Sequence, residues 1–559
     1  MALHREKSAL RKVRSAKMAL PSQNSFCFYH LMDPSVKNRI PPALLWAYFA
    51  FSVFWLIAHA TVILRFRMLD SDSIMYGLPL AFSKNPFDLA IPWIGDLRSY
   101  DNVWGHHWVG GMWLRAALYS IVPFSRALDI CLLLLAVWGA ATLTARLIWR
   151  ITGWWWLSAA GALLILSDRL VLANIQLHRF ESLALLALVV YLTFVMESRK
   201  GLGWGWTFLG CLGAFFLPTM HPFGLPLGAA LSGFFLVKAW IVKSTTASQA
   251  LAGCGASLAG VAAIFFWFYL QPGAMEQFTT NVALQNSFSK GNHLVLWNGL
   301  SGYRLFSGYL LWSSAALACG LILAGFAKPI SSPICGVTLR WLPALLFCSH
   351  AAFYTVTKTL NYAYICLSFP VAAILISMVA KSCFLRYGRV PAWAVSCFFV
   401  GVTAIFGLIL PHRVVQFAKA GFPDFPQVLE KLLADMPKDR TIFISPPVWA
   451  EAIQRPDLQF QQWTFSVASS KALRRECETQ AYSKMQRGDI LICDDLAGRN
   501  GDPFGILPTF DYKNLDPTFW KKIQSIKKLY PGTDADFGYD FSVYEFQGGD
   551  WVSTLPALE

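Results

Sequence analysis

Stretches of about twenty apolar residues recur along this chain, and their recurrence narrows its possible folds more than any other feature. The first, PALLWAYFAFSVFWLIAHATVIL at 42–64, contains no charged side chain. As a helix it matches a bilayer hydrocarbon core of roughly 30 Å. Comparable runs lie near 127–149, 154–173, 181–197, 204–219, 222–242, 250–270, 305–327, 339–357, 361–380 and 391–410. They predict a mainly α-helical, polytopic membrane protein with about eleven transmembrane helices. Hydrophobic residues make up 55% of the chain and charged ones 14%, a balance that a soluble protein of this size does not need.

The net charge of +15 does not read as a nucleic-acid footprint. The basic residues fall in short clusters between apolar runs, and no basic stripe carries interleaved aromatics. Residues 1–41 hold Arg5, Lys7, Arg11, Lys12, Arg14, Lys17, Lys37 and Arg39. The AHA at 58–60 imitates a signal-peptidase site, but a polar lead of about forty residues is too long for an ordinary signal peptide. The first run is therefore expected to stay as a helix behind a cytoplasmic tail. With that start, the inner connections carry Arg146 and Arg150, Arg199 and Lys200, Lys238 and Lys243, Lys328 and Arg340, then Lys381, Arg386 and Arg389. Each is basic, as the positive-inside rule requires. The segments 65–126, 168–180 and everything after about 411 then fall outside. Within 65–126, SIMYGLPLAF and HHWVGGMWLRAALYSIVPF suit helices lying in the interface.

From Pro411 onward the composition is that of a soluble unit. FPQVLEKLLADM has helical spacing, and RTIFIS, GDILICDD and DFSVYEF read as strands. DPTFWKKIQSIKKL reads as another amphipathic helix. Strands alternating with helices predict a small extracytoplasmic α/β domain over 411–559, following a transmembrane domain over 42–410. Most of the 12 cysteines lie in apolar runs, where they act as small hydrophobes. Cys477 and Cys493 suit either one disulfide or two separate thiols.

No GxSxG elbow, HExxH or phosphate loop between strand and helix is present. Few ionisable residues lie near the middle of a predicted span, where transporters usually carry them. Asp70, Asp72, Arg98, Asp101, His106, His107, Arg179, Glu181, His221, His350 and Lys358 instead share the predicted outer face. A polar cluster there suits a substrate that is half lipid and half polar.

DSIMYGLPLAF, HHWVGGMWLRAALYSIVPFSRALDI and LVLANIQLHRFESLALLAL, in that order, resemble polyprenyl-phosphate-sugar-dependent glycosyltransferases of the GT-C type. That superfamily includes protein O-mannosyltransferases and lipid A aminoarabinose transferases. Its members place an acidic residue in a long first outer loop, often four positions before a Tyr, and Asp72 and Tyr76 match that spacing. HHWVGGMWL holds the place of a His/Pro/Pro element but lacks both prolines. Arg126 matches an Arg at the start of the second span, and Arg179 with Glu181 matches an RxE or RxD element at the start of the fourth. Lys358, Tyr362 and Pro370 match a late KxxxY…P element. The resemblance covers roughly 42–410 and rests on the ordered set, since no single motif is specific.

The resemblance implies a glycosyltransferase that moves a hexosyl or pentosyl unit from a polyprenyl-phosphate carrier to an acceptor outside the cytoplasm. Transfer by single displacement inverts the anomeric centre. Asp72, or else Asp70, would take the acceptor's proton. Arg179, Lys358, Arg98, His106 and His107 would meet the charge developing on the lipid phosphate, supported by Glu181, Tyr76, Arg126, Tyr362 and His221. Each residue also has a simpler reading. Asp72 suits a helix N-cap, Arg179 and Glu181 an ion pair at a helix start, and Lys358 a snorkelling interfacial side chain. The histidines suit ordinary interfacial or structural roles. A divalent ion, Mg or Mn, suits Asp70, Asp72 and Glu181. Two rival functions stay open at this point, a transporter or flippase of lipid-linked sugars and a non-catalytic membrane scaffold. The absence of any N-x-S/T sequon points to a bacterial inner membrane, with the active site on the periplasmic side.

Overall fold

The computed structural model describes most of residues 42–65, 110–270, 366–421 and 424–555, apart from stretches of which the longest are 402–408, 463–470, 496–514 and 529–538. Its helical part comprises α1 (Pro42–Arg65), α2 (Gly110–Tyr119), α3 (Arg126–Thr152), α4 (Trp155–Leu166), α5 (Arg169–Gln176), α6 (Glu181–Glu197), α7 (Trp204–Met220), α8 (Gly224–Trp240), α9 (Ala247–Leu270) and α10 (Phe369–Tyr387). Among the described residues, α1, α3 and 247–267 within α9 are long and apolar enough to cross a membrane. Their outer faces carry Trp46, Ile57, Leu258 and Phe266, each more than 60% exposed. Apolar side chains so exposed on helices of this length mark an integral membrane protein.

The bundle closes around Ile130, Leu133, Val137, Leu164, Leu188, Leu192, Leu217 and Ile374, all buried. Close approach depends on small residues. A side chain on Gly260 of α9 would strike the Phe215 carbonyl of α7, and one on Gly213 of α7 would meet the Ala187 carbonyl of α6. Ser125 starts α3 by accepting from the Leu128 amide at 3.1 Å, and Gly153, with φ 72°, ends it. The run expected as one span over 154–173 breaks in two, because Asp168 Oδ1 caps α5 through the Val171 amide at 3.0 Å. The runs expected at 305–327 and 339–357 lie outside the described residues.

The helices have two chemically distinct ends. At one end, Arg146 and Arg150 pair with Glu197, Lys238 caps the last turn of α6, and Lys381 donates to the Thr152 carbonyl. At the other lie Arg126, Asp129, Asp168, His178, Arg179, Glu181 and His221, all buried.

After α10 come α11 (Ile409–Lys419), α12 (Phe425–Ala434), α13 (Trp449–Ala452) and α14 (Lys471–Tyr482), with β1 (Thr441–Ile444), β2 (Gln459–Gln462), β3 (Ile490–Asp494), β4 (Trp520–Lys528) and β5 (Tyr539–Phe546). The strands form one sheet in the order β2-β1-β3-β5-β4. Its β2-β1-β3 half is parallel and its β3-β5-β4 half antiparallel. Ile442, Ile444, Ile490, Ile492 and Val543 pack on Leu429, Leu432 and Leu433 of α12.

Two expectations are corrected here. Trp520–Lys528, read as an amphipathic helix, is the edge strand β4. Its apolar residues 520, 523 and 526 imitate helical spacing because the ladder skips Ile523 in a bulge between Lys522 and Gln524. Its lysines suit an edge exposed to water. Cys493, offered to a disulfide with Cys477, is a free thiol on inner strand β3, fully buried.

Candidate functional site

Three buried polar groups occupy the end of the bundle that carries His178 and Glu181. In the first, Arg179 Nε and Nη2 both donate to Glu181 Oε1, at 3.0 and 2.8 Å. Glu181 opens α6, where a carboxylate faces the positive end of the helix dipole. His221 Nε2 stands 3.7 Å from the same oxygen. Its position follows from Pro222, because a residue before proline is steered out of the α region. His221 is accordingly extended, with φ −156° and ψ 140°, and ends α7. The Phe223 amide donates to His221 Nδ1 at 3.1 Å, so the neutral ring carries its proton on Nε2, facing Glu181. Burial pushes the His221 pKa down to about 4 against the pull of Glu181, so the ring is neutral at pH 7. Glu181 Oε2 is buried and makes no hydrogen bond among the described residues. Asn174 lies behind this group and donates to Cys366 Sγ at 3.4 Å.

The second group centres on Asp129, in the first turn of α3 and fully buried. Its Oδ2 accepts from Arg115 Nη2 at 2.7 Å and faces His178 Nδ1 at 2.6 Å, while Oδ1 accepts from the Tyr119 hydroxyl at 2.7 Å. Arg115 Nη2 also donates to the His178 carbonyl at 2.9 Å, and its guanidinium lies over the Phe180 ring. Burial lowers the His178 pKa, against the pull of Asp129. The neutral ring thus donates from Nδ1 and leaves Nε2 as an acceptor.

The third group joins the bundle to the sheet region. Arg126 Nη1 donates to Glu451 Oε1 at 3.2 Å, and Nη2 to the Ile63 carbonyl at 3.4 Å. Burial raises the Glu451 pKa, although Arg126 opposes it.

The structure therefore brings together Arg179, Glu181 and His221 and places Arg126 with Glu451. Asp70, Asp72, Tyr76, Arg98, His106, His107, Lys358 and Tyr362 lie outside the described residues. Among the described residues no three His, Cys, Asp or Glu side chains converge as metal ligands. The Asp129 group escaped sequence reasoning. Its signals are a carboxylate in the first turn of an apolar span, RALDICLLLL, and a histidine directly before Arg179.

No family model matches the chain, and no curated protein matches it. Among solved structures, ArnT from Cupriavidus metallidurans bound to undecaprenyl phosphate is similar over 89% of this chain and 98% of its own, with a TM-score of 0.50 and 12% identity. The two chains share a fold. Apo ArnT from the same organism aligns over 93% of this chain and 100% of its own, with a TM-score of 0.41 and 14% identity. The Archaeoglobus fulgidus oligosaccharyltransferase complex with Zn and sulfate aligns over 90% of this chain and 74% of its own, at 0.39 and 10%. In this fold the Arg179–Glu181–His221 and Asp129–His178 groups are neighbours, joined by the three residues from His178 to Phe180.

Proposed function

We propose that the chain is a membrane glycosyltransferase that transfers a sugar from a polyprenyl-phosphate carrier to an extracytoplasmic glycan, lipid or protein, with inversion at the anomeric carbon. The observation that carries this reading is the gathering of buried ionisable residues at one end of an apolar GT-C bundle. A lipid-phosphate donor presents its tail to the bilayer and its charged, sugar-bearing end to such a surface. The basic residues at the opposite end, Arg146, Arg150, Lys238 and Lys381, support an orientation with that end in the cytoplasm. On this reading the chain has about eleven spans, and 411–559 is an extracytoplasmic domain on the periplasmic side of a bacterial inner membrane.

Cleavage of the donor leaves a lipid phosphate dianion, which needs positive charge where the negative charge develops. Arg179 is balanced by Glu181, so this pair adds no net charge and serves the phosphate as an oriented donor. Net positive charge then comes from Lys358 and Arg98, with His106 and His107 as further donors. Asp72 takes the proton of the acceptor hydroxyl as the anomeric C–O bond to the new acceptor forms and the bond to phosphate breaks. Asp70, two positions earlier in the chain, is the alternative base. Mg or Mn, where bound, would be held by the two aspartates.

The test is incubation of purified protein with labelled undecaprenyl-phosphate sugars, with sugar release measured. Asp72→Asn is expected to lower release by orders of magnitude. Equal rates remove Asp72 as the base, no release by wild type removes the transferase reading, and release that survives chelation removes the metal.

A further inference from the structure

His178 combines three features. It is the only non-glycine residue with positive φ among the described residues, at 56°. That left-handed conformation is uncommon and unfavourable for a side chain with a Cβ, so the surroundings must impose it. They do: the His178 amide donates to the Ile175 carbonyl at 3.1 Å, the Arg179 amide to the Asn174 carbonyl at 2.9 Å, and Arg115 holds the His178 carbonyl. The ring itself is oriented by Asp129 through Nδ1. Its Nε2 is buried and makes no hydrogen bond among the described residues.

A buried acceptor without a donor is destabilising and stands out in a folded protein. Here the acceptor sits on a ring fixed at both ends, three residues from Glu181, whose Oε2 is in the same condition. Two unsatisfied acceptors three residues apart in the chain call for a ligand rich in donors. A phosphate dianion offers none, whereas sugar hydroxyls do. We infer that His178 Nε2 accepts a hydrogen bond from a hydroxyl of the sugar being transferred, with Asp129, Arg115 and Tyr119 as the residues that position the ring. The inference rests on the transferase reading and adds a sugar-binding residue to it. No proton changes hands, and Asp72 keeps its role.

The experiment uses two variants that separate the ring's two nitrogens. Asn tolerates the left-handed conformation and offers an amide N–H near the place of Nδ1. His178→Asn therefore keeps the bond to Asp129 and deletes Nε2. His178→Gln places an amide oxygen near Nε2. Full-length protein in detergent is assayed for sugar release from labelled undecaprenyl-phosphate sugars, alongside its thermal unfolding midpoint. The expected result is an unchanged midpoint for His178→Asn with kcat/KM reduced tenfold or more, and partial recovery of kcat/KM in His178→Gln. Wild-type kcat/KM in His178→Asn overturns the inference and leaves the transferase reading intact. So does a loss of activity in both variants that tracks a lowered midpoint, which makes the histidine structural. A wild-type protein that releases no sugar overturns the transferase reading itself, and the inference with it.

Discussion

Arg126 and Glu451 stand 325 positions apart in the chain and meet as a buried ion pair at 3.2 Å. The arginine opens α3 and the glutamate belongs to α13, so the pair ties the helical bundle to the sheet region. Arg65 and Asp424 approach at 3.9 Å on a half-exposed part of the same joint, a contact of small energetic weight. Removing one partner of a buried pair strands the other charge, at a cost of about 3–5 kcal/mol. Arg126→Met and Glu451→Leu should each lower the unfolding midpoint sharply. The double variant should recover most of the loss, and a double-mutant cycle showing simple additivity would contradict the pairing.

Lys238 is a different kind of buried charge. Its ammonium donates to the carbonyls of Val195, Met196 and Ser198 at 2.7, 3.1 and 2.8 Å, and so caps the last turn of α6. Lys238→Met keeps the apolar stem but leaves those carbonyls without their donor. A loss of about 2 kcal/mol is expected, read as a lower midpoint in detergent.

The pH dependence of stability should carry the signature of His221. Its folded pKa is near 4, below the unfolded value of about 6.5. Between those values the unfolded chain binds the proton and the folded chain does not, so stability is full above pH 6.5 and falls as pH drops towards 4. The whole window corresponds to about 3 kcal/mol. His221→Gln should flatten that part of the profile, and parallel profiles for variant and wild type would rule the histidine out as its source.

Gly260 tests the packing of α9 on α7. A Cβ there overlaps the Phe215 carbonyl, which is backbone and cannot turn aside. Gly260→Leu should therefore cost about 1–3 kcal/mol or force the helices apart. Gly255 on the same helix faces open space, and Gly255→Ala should leave the midpoint unchanged or raised through helix propensity. A similar loss at both positions would count against the close approach.

Local features were legible where one short-range property governed the backbone. The helices α3, α6, α7 and α9 follow from apolar length, and β1, β3 and β5 from short β-branched and aromatic runs. β4 misled because a bulge shifts the alternation by one residue, and bulges depend on the partner strand. Of the candidate site, HRFE was legible because two charges at the start of an apolar run are costly without a purpose. Asp129 drew no notice within its span, since its partners Arg115, Tyr119 and His178 come from other elements.

The amino-acid sequence by itself determined that this chain enters a membrane, where helices such as α3, α6 and α9 lie and which of their ends carry the basic residues. Those properties depend on neighbours along the chain and on transfer free energies that each segment carries alone. Only the tertiary structure decided that Arg126 meets Glu451, that His221 turns to Glu181, and that His178 is held by Asp129 in a left-handed turn. Such contacts depend on packing across long chain separations, and a buried charge or acceptor acquires its partner, and its chemistry, only when the bundle closes around it.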